Sequence, residues 1–295
     1  MSKNNKEVEK IGLQIRDLMI KHDSNWISPM KNSIFNYGLP VNFESNRSYN
    51  GFNTFSLSMA IMDNNWTSNQ FGTFKNWNDK GYKIIKGSKS EKVFFWTQGI
   101  SKDKDDEKKS YWFLKTYNVF NACQIEGYEI KEDKTEKTQF EILKDCEDYV
   151  SNTNAKINYG GNGAFYSPGK DIISIPLKEN FISTETSTAK ENYYSTLLHE
   201  LVHWTGSKNR LDRIKKTQFG SKEYAFEELV AETGSAILCS LLNVSSSPRV
   251  DHAKYLNHWI DLLEDKPRSI MTAFSQSSKA IDYLDKLQNK AEKVA

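Results

Sequence analysis

The chain has 295 residues, of which 38% are hydrophobic and 13% aromatic, and its formal net charge is +2. This composition supports folded cores and excludes wholesale disorder; no apolar run approaches the roughly 18 residues needed to span a bilayer. Charge is unevenly spread: residues 1–119 carry eighteen Lys and Arg against twelve Asp and Glu, so the front is basic and the remainder acidic.

The first residues, MSKNNKEVEKIG, have no apolar stretch behind their charges, so no secretory leader is read there. Cys123, Cys146 and Cys239 are scattered, without C-x-x-C spacing. They read as reduced thiols of a cytoplasmic protein. Residues 5–22 place Val8, Ile11, Ile15, Leu18 and Met19 at helical spacing. Between about 40 and 125, short aromatic and β-branched runs alternate with Gly, Asn and Ser turns. YKIIKG (82–87), KVFFWTQ (92–98), YWFLKTYNVF (111–120) and CQIEGYEI (123–130) are expected strands. The charged run at 101–109 reads as an exposed hairpin loop and the polar run at 131–139 as a linker. FEILKDCEDYVSN resumes a helical period. AFYSPGKDIISIP reads as a hairpin around Ser167-Pro168-Gly169, and helices are expected near 188–205 and 221–242, with more helix to the C-terminus. The expected organisation is α+β: a mixed α/β domain over 1–135, then a mostly helical domain over 136–295.

The segment YYSTLLHELVHWTG holds His199, Glu200 and His203. Histidines at i and i+4 lie on one helix face, one turn apart. Two imidazoles so placed can share a Zn²⁺, and Glu200 beside them can take a proton from metal-bound water. A catalytic zinc ordinarily has three protein ligands and an open position. The spacing H-E-x-x-H-x-x-G-x-x-H would put the third at residue 209, which is Asn. The next helix, YAFEELVAETGSA, offers Glu228 and Glu232 on one face, where a bound cation would remove the repulsion of two like charges. Glu228 is read as the third ligand and Glu232 as a hydrogen-bond partner of a ligand histidine, the gluzincin arrangement. Glu227 points about 100° away around the helix and is the weaker ligand candidate. Tyr166 and His252 could serve as transition-state donors, but ordinary packing or a surface position is the favoured reading for each.

Three segments together resemble the zincin-like metallopeptidase domain of ArdC-type antirestriction proteins: YYSTLLHELVHWTGSKNRLDR, YAFEELVAETGSAILCSLL, and DHAKYLNHWIDLLEDKPRSIMTAFSQSSKAIDYL. LPVNF with RSYNGFN, GTFKNWNDKGYKIIKGSKS and YNVFNACQIEG resemble that family's N-terminal single-stranded-DNA-binding domain. The resemblance runs from about residue 10 to 287. It implies single-stranded DNA as partner and protection of incoming plasmid or mobile-element DNA from restriction, with a protein substrate or restriction-system component as a further candidate partner; zinc as cofactor is read from the histidine motif, and no membrane association from the hydropathy. Single-strand binding needs cations along a groove and aromatic faces for bases. The candidates are Arg47, Tyr49, Lys75, Trp77, Lys83, Lys86, Lys89, Tyr117, Asn121 and Gln124. Two other functions stay open: a zinc protease that reaches a protein substrate on single-stranded DNA, and a binding module whose metal is structural. A closed structural site would have no need of Glu200.

Overall fold

A computed structural model describes residues 3–102, 108–130, 138–185, 187–214, 221–244 and 252–291. The front half begins with three helices: α1 (Lys3–His22), α2 (Ser28–Tyr37) and, after the two-residue strand β1 (Val41–Asn42), α3 (Phe52–Asp63). There follow β2 (Gln70–Thr73), the short helix α4 (Phe74–Asp79), and the long strands β3 (Glu91–Lys102) and β4 (Lys108–Asn121). The sheet order is β1-β2-β4-β3; β1 runs parallel to β2 and the other pairs are antiparallel. β2 reaches only the Val119–Asn121 end of β4, so most of the β3/β4 hairpin continues past the sheet as a two-stranded ribbon. Residues 103–107, within the expected charged loop, lie outside the described residues, as do 131–137 of the expected linker.

Two expected strands are absent. Residues 82–87 form only a single bridge, Ile84 to Ile125, and 123–130 begins as a 3₁₀ turn over Ala122–Gln124. Asn121 imposes that turn: its side chain accepts the Cys123 N–H at 2.9 Å, while Gln124 accepts the Asn121 N–H at 2.9 Å. The turn bends the chain away from the strand direction.

The back half comprises α5 (Gln139–Ser151), β5 (Ile157–Tyr159), β6 (Phe165–Ser167), β7 (Ile172–Ile175), α6 (Ala189–Thr205), α7 (Lys222–Leu241), α8 (His252–Asp265) and α9 (Ser269–Ala291). β7 is the central strand of a three-stranded sheet, parallel to β5 and antiparallel to β6. Thr188 and Glu191 form a capping box that starts α6: the Thr188 hydroxyl accepts the Glu191 N–H, and the Glu191 carboxylate accepts the Thr188 N–H. No helix among the described residues is long and apolar enough to cross a membrane. Cys123, Cys146 and Cys239 are free thiols, the last two buried.

The two halves share one apolar core. Ile15, Met19, Trp26 and Phe55 from the front belong to the same cluster as Leu229, Trp259 and Phe274 from the back. Phe55 and Phe274 are in ring contact at 4.9 Å, and Phe52 meets Phe274 edge-on at 6.0 Å. α1 packs against α8 and the turn that follows it so closely that a Cβ at Gly12 would lie 2.0 Å from the Pro267 carbonyl oxygen. Glycine is required here by contact, since the helix itself would favour alanine. Gly12→Ala should therefore lower stability by about 1–3 kcal/mol, although the same change in an exposed helix would raise it. Urea unfolding of the two proteins measures the sign; a stabilised variant would contradict this packing.

Candidate functional site

Helices α6 and α7 lie against each other, and at Gly234 a Cβ would come within 3.1 Å of both Val202 methyls. This close approach turns the His199/His203 face of α6 onto the Glu228/Glu232 face of α7. His199 Nε2 and His203 Nε2 are 3.2 Å apart. Glu228 sends one oxygen to each: Oε2 lies 3.5 Å from His199 Nε2 and Oε1 3.4 Å from His203 Nε2. All three side chains are buried. Four donors arranged tetrahedrally at 2.0–2.1 Å from a zinc ion would be about 3.4 Å from one another. The separation of the two histidine nitrogens matches that edge length, and one donor atom from each of the three residues lies within 4.8 Å of the others, so the donor set suits a divalent cation. Glu200 is buried on the same helix, next to His199 in the chain.

Behind the donors stand groups that orient them. His203 Nδ1 lies 3.1 Å from Glu227 Oε1, and His199 Nδ1 lies 3.8 Å from Glu232 Oε2. Glu232 is thus on the side of His199 where a second carboxylate was expected. Glu227, discounted as a ligand, partners the other histidine. Its carboxylate receives Arg213 through Nε at 2.7 Å and Nη2 at 2.9 Å. Arg213 also donates to the Val202 carbonyl at 2.8 Å and the Thr205 hydroxyl at 3.2 Å. The chain after α6 folds back to permit this, with Arg213 N–H bonded to the Gly206 carbonyl at 2.9 Å. The sequence held one hint of this role: Arg213 closes the first of the three motifs that carry the family resemblance.

The charges are tightly coupled. Burial works against the charged form of His203, but hydrogen bonds to Glu227 and Glu228 prevail and raise its pKa to about 10. Burial likewise opposes the Glu228 charge, and the two histidines hold its carboxyl well below the usual range. Glu227 is held down by His203 and Arg213, again against burial.

For Tyr166 the packing reading holds. Tyr166 donates to Asp171 at 2.8 Å and accepts from Arg210 at 3.0 Å, while the Arg210 guanidinium sits 3.9 Å over the Trp204 ring. Tyr166 is therefore part of a latch joining β6 to the end of α6. The side chain of His252 lies outside the described residues.

In the front half, Arg47, Lys75, Lys83, Lys86, Lys89 and Tyr117 are exposed. Four of the residues expected to contact DNA are instead interior. Trp77 is fully buried, stacked on Phe43 at 3.6 Å with its indole N–H on the Phe120 carbonyl. Tyr49 is buried among Phe71, Leu57 and Val93. Asn121 and Gln124 are buried fasteners: Asn121 donates to the Ser68 carbonyl at 2.8 Å and Gln124 to the Lys89 carbonyl at 2.8 Å. These polar groups need internal partners, and they anchor the loop that carries Lys83, Lys86 and Lys89. The exposed aromatics Phe95, Trp96 and Phe113 were not singled out beforehand.

Comparison with known proteins fits this geometry. Residues 144–276 match the zincin-like metallopeptidase family, and residues 5–120 match the N-terminal domain of the anti-restriction factor ArdC. The class is a zincin-like metallopeptidase fold joined to an antirestriction N-terminal domain. The chain belongs to the ArdC-type antirestriction family. The chain is 28% identical to the metal-free crystal structure of antirestriction protein ArdC from plasmid R388, with a TM-score of 0.79 and 96% and 98% of the two chains covered. The Mn(II)-bound structure of that protein superposes with a TM-score of 0.75, covering 95% and 97%. An uncharacterised protein of Sinorhizobium fredii, y4eC, is 32% identical over 263 residues, which is 86% of this chain and 83% of that one. Two DNA primases TraC of Escherichia coli are each 31% identical to it; the chain spans only 18% and 25% of their lengths.

The Glu227–His203 bond has three testable consequences. A metal must displace the proton that His203 holds up to about pH 10, above its ordinary value of 6.5. Apparent metal affinity should thus rise about tenfold per pH unit through neutrality. The same raised pKa stabilises the metal-free fold fully below about 6.5, and that contribution is lost as pH rises towards about 10. Glu227→Gln should weaken metal binding about 10–100-fold and flatten the pH dependence. Competition titration against a chelator from pH 6.5 to 8.5 measures both; a pH-independent affinity in the native protein would contradict the coupling.

Proposed function

We propose that this protein binds one divalent cation, zinc in the first instance, and single-stranded DNA, and that it protects incoming plasmid or mobile-element DNA from restriction. The observation that carries the first part is the buried convergence of His199, His203 and Glu228 with Glu200 beside them. The Mn(II)-bound ArdC structure supports a divalent cation at a zincin-like fold. Basic charge in the front half, the exposed lysines at 83, 86 and 89, and the ArdC N-terminal match support the second part.

The chemistry open to the site is hydrolysis of a peptide bond. A bound cation supplies Lewis acidity, which lowers the pKa of a coordinated water towards about 7. His199, His203 and Glu228 would hold it; Glu227 would keep the His203 imidazole oriented with Nε2 inward, and Glu232 stands behind His199. Glu200 takes the proton from the attacking water and passes it to the leaving amine. Protection of DNA needs only occlusion of single strands, which the front surface performs without Glu200. A DNA-associated protease, the alternative reading, would need both.

Because the halves share a core, the tests use the full chain. His199→Ala with His203→Ala should abolish the roughly one equivalent of bound metal; full retention, by elemental analysis, would remove the site. Glu200→Gln should keep fold, metal and DNA affinity while any peptidase activity falls about 10²–10⁴-fold. Transformation efficiency into a restricting host then separates the readings. Survival of protection in Glu200→Gln, with loss in Lys83→Ala/Lys86→Ala, is the expected result. Loss of protection in Glu200→Gln with normal DNA binding would establish the protease reading instead.

A further inference from the structure

The β3/β4 ribbon carries a feature that the fold does not use. Cross-strand pairs lie on one face of a sheet, so Val93–Tyr117, Phe95–Lys115 and Thr97–Phe113 share a face. On the opposite face Phe94 and Leu114 are buried in the main core. On the shared face Val93 is buried, yet Phe95 is 42% exposed, and Phe113 and Tyr117 are each 38% exposed. Trp96, on the Leu114 face, is 61% exposed.

These rings are supported from beneath. Fully buried Phe71 meets buried Tyr49 at 6.4 Å, Tyr49 meets Phe95 at 6.5 Å, and Phe95 meets Tyr117 edge-on at 5.8 Å. Tyr49 thus props the exposed rings from the interior. Cations stand within and beside the row. Lys115 Nζ lies 5.0 Å from the centre of the Tyr117 ring. At the ribbon's base, the loop carrying Lys83, Lys86 and Lys89 is fastened to the end of β4: the Glu126 N–H bonds the Lys83 carbonyl, and Gln124 the Lys89 carbonyl. From Lys89 to Thr97 the strip runs on the order of 25 Å at strand spacing.

We propose that this ribbon face, with Phe95, Phe113 and Tyr117 as stacking platforms and Lys115 and the Lys83–Lys89 loop as phosphate contacts, is where single-stranded DNA lies. The assignment rests on the single-strand reading given above. Its occupant follows from chemistry: exposed rings interleaved with cations fit a ligand that offers apolar planar faces joined by anions. Duplex DNA keeps its base faces stacked and offers none. The two kinds of contact make different signatures, because stacking is insensitive to salt and phosphate contacts release counterions.

The test is fluorescence anisotropy of the full-length protein with labelled oligodeoxythymidine and with duplex DNA, over a salt series. Phe95→Ala/Phe113→Ala should weaken single-strand binding at least about tenfold with the salt slope unchanged. Phe95→Tyr/Phe113→Tyr should retain it. Lys83→Ala/Lys86→Ala should reduce the salt slope by about 1.4. Metal uptake by α6 and α7 reports that each variant is folded, and Lys115→Glu, which removes no ring, should also weaken binding. If wild type binds the oligonucleotide and both Phe95→Ala/Phe113→Ala and Lys115→Glu bind as tightly, the ribbon assignment fails while the single-strand reading stands. If wild type itself does not bind, that reading fails and takes the assignment with it.

Discussion

Three glutamates of one helix are pressed into two histidines of another, in a space with little access to water. Desolvated carboxylates are expensive unless cations meet them. Arg213 meets Glu227, and protonated His203 meets Glu227 and Glu228. A divalent cation between the Nε2 atoms and Glu228 would replace the proton with a stronger charge at the same place. The packing of α6 on α7 exists in its present form because that cluster is satisfied, and Gly234 opposite Val202 is what lets the helices come near enough.

From this arrangement follows a division of labour. Glu228 faces the donors, Glu227 hydrogen-bonds His203 Nδ1 and fixes that ring's direction, and Glu232 stands 3.8 Å behind His199 Nδ1. Arg213 ties Glu227 to the carbonyl of Val202 on the donor helix itself. The histidine helix, the glutamate helix and residues 206–214 are thereby one unit. The apolar core beneath joins that unit to α1, α2 and α3. The two family matches therefore fall on segments that rest on a single core, and the ribbon and the His199/His203/Glu228 cluster are held on one scaffold.

How much of this was legible beforehand depended on whether a single residue's chemistry could announce itself. The i, i+4 histidines, Glu200 between them and the Glu228/Glu232 face stand out because these residue types are rare on a buried-type helix. Glu227 did not, because a helical wheel places it about 100° from Glu228 and says nothing of a second helix wide enough to touch both. Arg213 reaches the site only because the chain doubles back after Gly206. In the front half, α3 escaped notice because Phe52, Phe55, Leu57, Ala60 and Ile61 bury it on several sides, which erases the helical period. KVFFW and YWFLK are apolar on both faces, so alternation cannot tell Phe94, buried, from Phe95, exposed. For the same reason Trp77 and Tyr49 passed for binding aromatics when they are packing and propping residues, and Asn121 and Gln124 passed for ligand contacts when they fasten a turn.

On the function proposed above, α6 and α7 hold a cation through three protein donors and leave a place for water. X-ray absorption at the zinc edge, on full-length protein loaded with one equivalent, tests it most directly. The spectrum should show two imidazoles with low-mass oxygen or nitrogen neighbours only, one imidazole fewer in His203→Ala, and an exchangeable oxygen that a small anionic inhibitor replaces. A sulfur neighbour, or a closed shell of four protein ligands that no inhibitor perturbs, would contradict it.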